Sequence, residues 1–404
     1  MKSNKTSFRS LSCTLNKQNL LTLFGGLTQV SSNLERLELR RRTADRRSPI
    51  TLRIISGAMP SLKNLSLTSI DLTREIVNLR YLVNLKLDHP YPSLTAILDL
   101  IASNPRLETI ALRVKCVGQT DPRPKGAVMI PRLRTLRFEF YLPLPLFHQF
   151  SIPRGASVSF SLWTDAEECI LPDSLEHLQN LSEVRNLHVR RAKHGHWMKA
   201  SGPSGEVKFE DINDPLSELR RLPLESVEKF RYVEVEPSLG TIGKGLGQGW
   251  IFEVFNRLRN LQTLVIGSCG LDVMKDIFGL LSPRTDRSRG LPLQHVMLPC
   301  PILSTIALEV PRDGGWSDWV VPFLQMLRTR AAAGSRLKKF RIVSRPDIQI
   351  PRQGEEKRKQ MAKFVPWVEV KYLWYEKDGR MNERRARELF EWRHDEEVFS
   401  GDVV

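Results

Sequence analysis

The chain has 404 residues and carries 61 Lys plus Arg against 45 Asp plus Glu, a formal net charge of +16 with a sequence pI near 9.8. Its 41% hydrophobic and 26% charged residues match a folded chain and exclude an intrinsically disordered one, and no apolar run reaches the ~18 residues of a membrane-spanning helix. The cationic surplus favours association with polyanions or acidic protein surfaces and says nothing about the fold.

Segment 1–26 is basic, with Lys2, Lys5, Arg9 and Lys17, and reads as an N-terminal cap. Its apolar run from Leu20 to Leu27 is broken and lacks a small-residue cleavage pattern, so an intracellular protein, cytoplasmic or nuclear, is expected. The first 60 residues hold eleven Lys and Arg against three acids, with a cluster at Arg40, Arg41, Arg42, Arg46 and Arg47.

From residue 27 to 345 a repeat organises the chain. The spacing L-x-x-L-x-L occurs in full at Leu34, Leu37, Leu39; at Leu62, Leu65, Leu67; and at Leu82, Leu85, Leu87. Variants follow at Leu107, Ile110, Leu112 and at Leu133, Leu136, Phe138, with a weaker copy at Val158, Phe160, Leu162. Looser copies are Val184, Leu187, Val189; Val227, Phe230, Tyr232; Leu261, Leu264, Ile266; Leu293, Val296, Leu298; and Leu337, Phe340, Ile342. Successive first residues stand 28, 20, 25, 26, 25 and 26 apart, then 43, 34, 32 and 44. The early spacings are those of leucine-rich repeats, and the later ones imply insertions.

The last two motif positions alternate with polar residues, the period of a strand with one buried face. Between strands, Leu94, Ile97, Leu98, Leu100 and Ile101 fall at helical spacing, as do Ile251 to Leu258 and Val320 to Leu327. The expected fold class is therefore α/β: a leucine-rich-repeat solenoid of ten to eleven irregular repeats, a curved parallel strand array with helices on the convex side. Glycine and proline content predicts loop insertions near 117–126, 194–205, 240–249 and 283–290. Residues 346–404 read as a linker, mobile over 346–360, and a C-terminal cap, with a strand at 367–374 and a charged helix at 382–393.

Signals for chemistry are weak. The five cysteines, Cys13, Cys116, Cys169, Cys269 and Cys300, form no C-x-x-C pair and read as thiols in a reducing compartment. Gly240 to Gly249 matches no phosphate-loop pattern. His194 and His196 have no further ligand at metal-binding spacing, and Asp165, Glu167 and Glu168 have nothing to orient them. No catalytic residue, metal or cofactor is expected, nor a membrane partner.

The residues between the leucines are expected on the open, concave strand face. There ten Lys or Arg stand against three acids, and the candidate partner-binding residues are Arg36, Arg40, Lys86, Arg113, Arg137, His188, Arg190, Lys229, Arg231, Lys339 and Arg341. A concave cationic surface attracts an acidic protein partner. Nucleic acid is the alternative partner, through this face and the basic N-terminal region, although the arginine cluster lacks interleaved aromatics for base stacking.

Three stretches, Ser103 to Ile110, Ser151 to Phe160 and Arg330 to Leu337, resemble the repeat region of the fungal, mushroom-type F-box/leucine-rich-repeat family, and the similarity extends over residues 27 to 345. The resemblance implies a substrate receptor of a cullin-type ubiquitin ligase, with the repeats holding the target and an F-box docking to the adaptor. Met1 to Gly26 has neither the Leu-Pro-x-Glu opening nor the Ile-Phe pair of an F-box, so adaptor docking is not expected from this segment.

Overall fold

The computed structural model describes residues 9–15, 33–41, 51–52, 59–72, 79–89, 94–114, 127–140, 149–162, 169–192, 195–212, 215–234, 249–267, 269–285, 296–310, 316–344 and 352–372. The main strands in the first part of the chain are β1 (Ser10–Leu15), β2 (Arg36–Arg41), β3 (Asn64–Thr68), β4 (Asn84–His89), β5 (Thr109–Val114), β6 (Thr135–Phe140) and β7 (Ala156–Leu162). They continue as β8 (Asn186–Ala192), β9 (Gly195–Gly202), β10 (Gly205–Ile212), β11 (Lys229–Glu234), β12 (Thr263–Gly267), β13 (Thr305–Glu309), β14 (Lys339–Ser344) and β15 (Trp367–Tyr372).

The chain divides into two compact units, Met1–Arg185 with His194–Pro223, and Asn186–Lys193 with Leu224–Val404. In the first unit the strand order is β1-β2-β3-β4-β5-β6-β7-β10-β9, parallel except for the β9–β10 hairpin. In the second it is β8-β11-β12-β13-β14-β15, parallel throughout. The fold is thus α/β, with mostly parallel strands and few helices.

The motif explains the register. Leu37, Leu65, Leu85, Ile110, Leu136, Val158 and Val207 sit opposite one another on neighbouring strands and are buried. Two residues on, Leu39, Leu67, Leu87, Leu112, Phe138, Phe160 and Phe209 form a second buried row. In that row the rings of Phe138 and Phe160 stack at 5.3 Å and those of Phe160 and Phe209 at 5.2 Å, a geometry worth about 0.5–1.5 kcal/mol per pair beyond burial.

Backbone hydrogen bonds repeat with the same period. The N–H groups of Leu62, Leu107, Leu133, Leu261 and Leu303 each donate to the carbonyl three residues upstream, closing a turn before the strand. The next two N–H groups then share one carbonyl on the neighbouring strand's lead-in: Lys63 and Asn64 share Glu35, Glu108 and Thr109 share Val83, and Lys338 and Lys339 share Ser304. A leading apolar side chain, turned inward by that closure, follows from the geometry.

Helix α1 (Leu94–Ala102) forms where the apolar spacing predicts it. The fully buried Asn104 ties its end to the adjacent repeat: Oδ1 accepts from the Leu82 N–H at 3.0 Å and Nδ2 donates to the Leu100 carbonyl at 2.7 Å. Asn104→Ala would strand both groups and should cost about 2 kcal/mol, read as a lower urea midpoint with an unchanged m value. An unchanged midpoint would show that these bonds contribute nothing net.

Several sequence expectations need correction. Residues 194–205 were expected as a loop, but Gly195 opens a hairpin, and its second strand, β10, takes the place beside β7. Val158 occupies the second motif position rather than the first, since it pairs with Leu136. The copy at Leu293, Val296 and Leu298 is not an array strand: Val296–Met297 pairs antiparallel with Arg284–Thr285, inside the expected 283–290 loop. The array strand is β13, where Leu303, Ile306 and Leu308 hold the same spacing, buried. Val365, Val368 and Val370 add a copy in β15, which pairs with β14.

Among the described residues the first unit has the α-helices α1 and the seven-residue α2 (Pro215–Arg221) and a 3-10 turn at Gln179–Leu181, so an α-helix in every repeat is not seen there. The second unit has α3 (Gly249–Arg257), α4 (Leu271–Leu281), α5 (Trp316–Ala332) and α6 (Arg352–Ala362). Helix α6 falls where a mobile linker was expected; Met361, near its end, is fully buried and anchors it. The loops at 117–126 and 240–248 and the helix at 382–393 lie outside the described residues.

Candidate functional site: the polar face of the strands

Strand alternation sends the residues between the motif positions to the face opposite the core. In the first unit they make three rows across the strands. The row nearest the strand starts contains Arg36, Asn64, Asn84, Thr109, Thr135, Ser157 and Glu206. The middle row contains Glu38, Ser66, Lys86, Ala111, Arg137, Ser159 and Lys208, and the third Arg40, Thr68, Asp88, Arg113, Glu139, Ser161 and Glu210. Lys199 of β9 lies opposite Lys208 and extends the middle row.

The first row is mostly neutral and bonded along its length. Asn84 Nδ2 donates to Asn64 Oδ1 at 2.6 Å, Asn64 Nδ2 to the Glu35 carbonyl at 3.4 Å, and the Ser157 hydroxyl to Glu206 at 2.6 Å. The other two rows are a lattice of both signs. Glu38 takes Arg40 at 2.7 Å and Arg36 at 3.6 Å; Glu139 takes Arg137 at 3.0 Å and Arg113 at 3.5 Å; Lys199 reaches Glu206 at 3.0 Å, and Lys208 pairs with Glu210.

Two of these acids, Glu38 and Glu206, are held ionised by their partners. The Arg40 hydrogen bond, opposed by burial and assisted by the charges of Arg40 and Arg36, keeps Glu38 below the usual carboxylate range. Burial opposes ionisation of Glu206, but bonds from Ser157 and Lys199 and the charges of Lys199 and Lys208 outweigh it and lower its pKa. The ion pairs of Glu38 and Glu206 are therefore present at neutral pH and lost only as pH falls through their depressed values. To the ten cations and three acids expected on this face the hairpin adds Lys199 and Lys208, and it brings Glu206 and Glu210 to join Glu38, Asp88 and Glu139. Exposed pairs contribute only about 0–1 kcal/mol each, so an incoming group can replace one at small cost.

Of the expected binding residues, Arg36, Arg40, Lys86, Arg113 and Arg137 are exposed on the first unit. In the second unit Lys229 is exposed, and Arg190, Arg231 and Lys339 are half-buried. His188 and Arg341 are not open to solvent as expected, being 9% and 5% exposed; Arg341 Nε instead donates to Glu369 at 2.9 Å. Their neighbours on that face, Val265, Ala307 and Val343, are also buried. Arg41 of the arginine cluster is buried at 7% exposure, so Arg40 and Arg41 do not form a shared exposed patch; Arg42, Arg46 and Arg47 lie outside the described residues. Sequence reasoning missed Lys199 and Lys208, though apolar alternation at Met198 and Ala200 and at Val207 and Phe209 marks both hairpin strands.

A buried polar group at the ends of β11 and β12 has a structural explanation. Glu234 accepts from the Tyr232 hydroxyl at 2.9 Å and from the Gly270 N–H at 3.2 Å, at the start of α4, where a negative charge favours the helix N-terminus. Burial, with the charges of Glu234 and Glu309, pushes the Cys269 thiol well above its ordinary pKa, so it stays protonated and a poor nucleophile. Among the described residues no three His, Cys, Asp or Glu side chains gather as a metal site. No family model matches the chain and no curated protein matches it, so its functional reading rests on this polar strand face.

Proposed function

We propose that the chain is a leucine-rich-repeat solenoid acting as a non-enzymatic scaffold, and that the polar strand face of the first unit holds an acidic protein partner. The observation that carries this is a polar surface across successive strands in which Lys86 and Arg137 are exposed while the motif residues flanking them, Leu85, Leu87, Leu136 and Phe138, are buried. A role as target receptor for a cullin-type ubiquitin ligase is the finer proposal, and it is supported by the family resemblance alone.

Ala111→Trp and Ser159→Trp add bulk to the middle row without entering the core. Each should lower partner capture by about tenfold, equal to about 1.4 kcal/mol, with melting unchanged. Binding should also weaken as salt rises. A partner retained equally by both blocked variants removes this face from the function.

A further inference from the structure

Within the middle row Lys86 on β4, Arg137 on β6 and Lys208 on β10 stand on alternate strands, with Lys199 on β9 following directly beside Lys208. The strands between the first three carry the small residues Ala111 and Ser159 at the same level. Neighbouring strands lie about 4.7–4.9 Å apart, so those three cations are spaced by roughly 9.5 Å along a line that crosses the strands.

A polyproline II chain has three residues per turn and rises about 3.1 Å per residue, so side chains on one ridge recur every ~9.3 Å. No other regular peptide conformation matches as well. In an extended strand residues three apart are separated by about 10 Å but point to opposite sides. In an α-helix the same-face repeats of three and four residues span only about 5–6 Å, and that of seven spans about 10.5 Å and slips out of step over two intervals.

We infer that this row binds an acidic peptide in the polyproline II conformation, laid across the strands with a carboxylate at every third residue, one each for Lys86, Arg137 and Lys208. This deepens the proposed function and rests on the first-unit face being the partner surface. The acids Asp88, Glu139 and Glu210 lie two residues further along the same three strands, and Glu139 and Glu210 hold Arg137 and Lys208 in exposed-face ion pairs that a peptide carboxylate would replace at small cost. They repel a carboxylate ridge that drifts sideways and disfavour peptides with acids on every ridge. Ala111 and Ser159 leave room for the backbone between the contacts.

The test uses the full chain and fluorescein-labelled peptides at low salt, read by fluorescence anisotropy. A (Glu-Pro-Pro) repeat peptide should bind saturably and about tenfold more tightly than a (Glu-Pro-Pro-Pro) peptide of equal charge. Lys86→Ser combined with Arg137→Ser should weaken it by a similar factor, whereas Arg134→Ser, exposed but outside the row, should leave it unchanged. Equal binding of the two peptides, indifference to the double substitution, or no binding at all would each overturn the inference. If the peptide fails while Ala111→Trp still blocks partner capture, only the peptide assignment falls; if the blocked variants also keep the partner, the face reading falls with it.

Discussion

Leu264→Arg is expected to abolish cooperative folding of the second unit. Leu264 lies on β12 between Phe230 of β11 and Ile306 of β13 and is completely buried. A guanidinium there would stand among aliphatic and aromatic side chains, away from water and with no placed carboxylate. Such an unpaired buried charge costs more than about 4 kcal/mol, a large share of the 5–15 kcal/mol that stabilises a typical domain. Circular dichroism melting would show loss of the second unit's transition, whereas Gln262→Arg, at an exposed site two residues earlier, should melt like the parent. An unchanged melting curve for Leu264→Arg would contradict the strand register.

Arg330→Ala should destabilise the same unit by more than about 3 kcal/mol, because each orphaned buried polar group costs roughly 1–3 kcal/mol. Arg330, on α5, is completely buried. Its Nη1 donates to the carbonyls of Leu281 at 3.0 Å and Pro299 at 2.9 Å, and its Nη2 to the Cys300 carbonyl and the Ser335 hydroxyl, both at 2.8 Å. One side chain thus joins the end of α4 to the turn before β13 and to the end of α5.

Burial lowers the pKa of Arg330 to about 10, partly opposed by Cys300, so the group remains charged at neutral pH but at an electrostatic cost. Its value lies in the carbonyls it satisfies rather than in charge. Arg330→Lys, with one ammonium in place of a planar fork, should recover only part of the loss. Chemical denaturation would measure both, and a neutral or stabilising Arg330→Met would refute this role.

Much of the fold was legible because the motif reports a backbone geometry. Leu65 and Leu67, or Leu264 and Ile266, are apolar because the shared-carbonyl turn leaves them no other direction, so spacing alone located most array strands. The errors have specific causes. Leu293, Val296 and Leu298 satisfied the spacing by composition, but they precede the closure between Leu303 and the Cys300 carbonyl, which sets the true strand. The hairpin reads as a loop in the sequence because Gly202, Pro203 and Gly205 outweigh the alternation on either side, although a turn between two alternating runs is a hairpin signal.

The site was less legible than the fold. Alternation identified which residues leave the core, but not which of those reach solvent. Arg137 and Arg341 have the same place in their motifs, yet Arg137 lies open in the first unit while Arg341 is buried against Glu369 in the second. Pairing across strands, as between Arg113 and Glu139, depends on register and on which strand follows which, and a linear count of charges contains neither.

Cysteine accessibility tests that distinction most directly. In a background with all five native cysteines replaced by alanine, single cysteines would be placed at Lys86, Ala111, Arg137 and Ser159 and at Val265, Ala307 and Arg341, and thiol labelling rates measured under native conditions. Fast labelling of the first group and slow labelling of the second is the predicted result. Equal rates for the two groups, or protection of positions 86 and 137, would contradict an open polar strand face on the first unit.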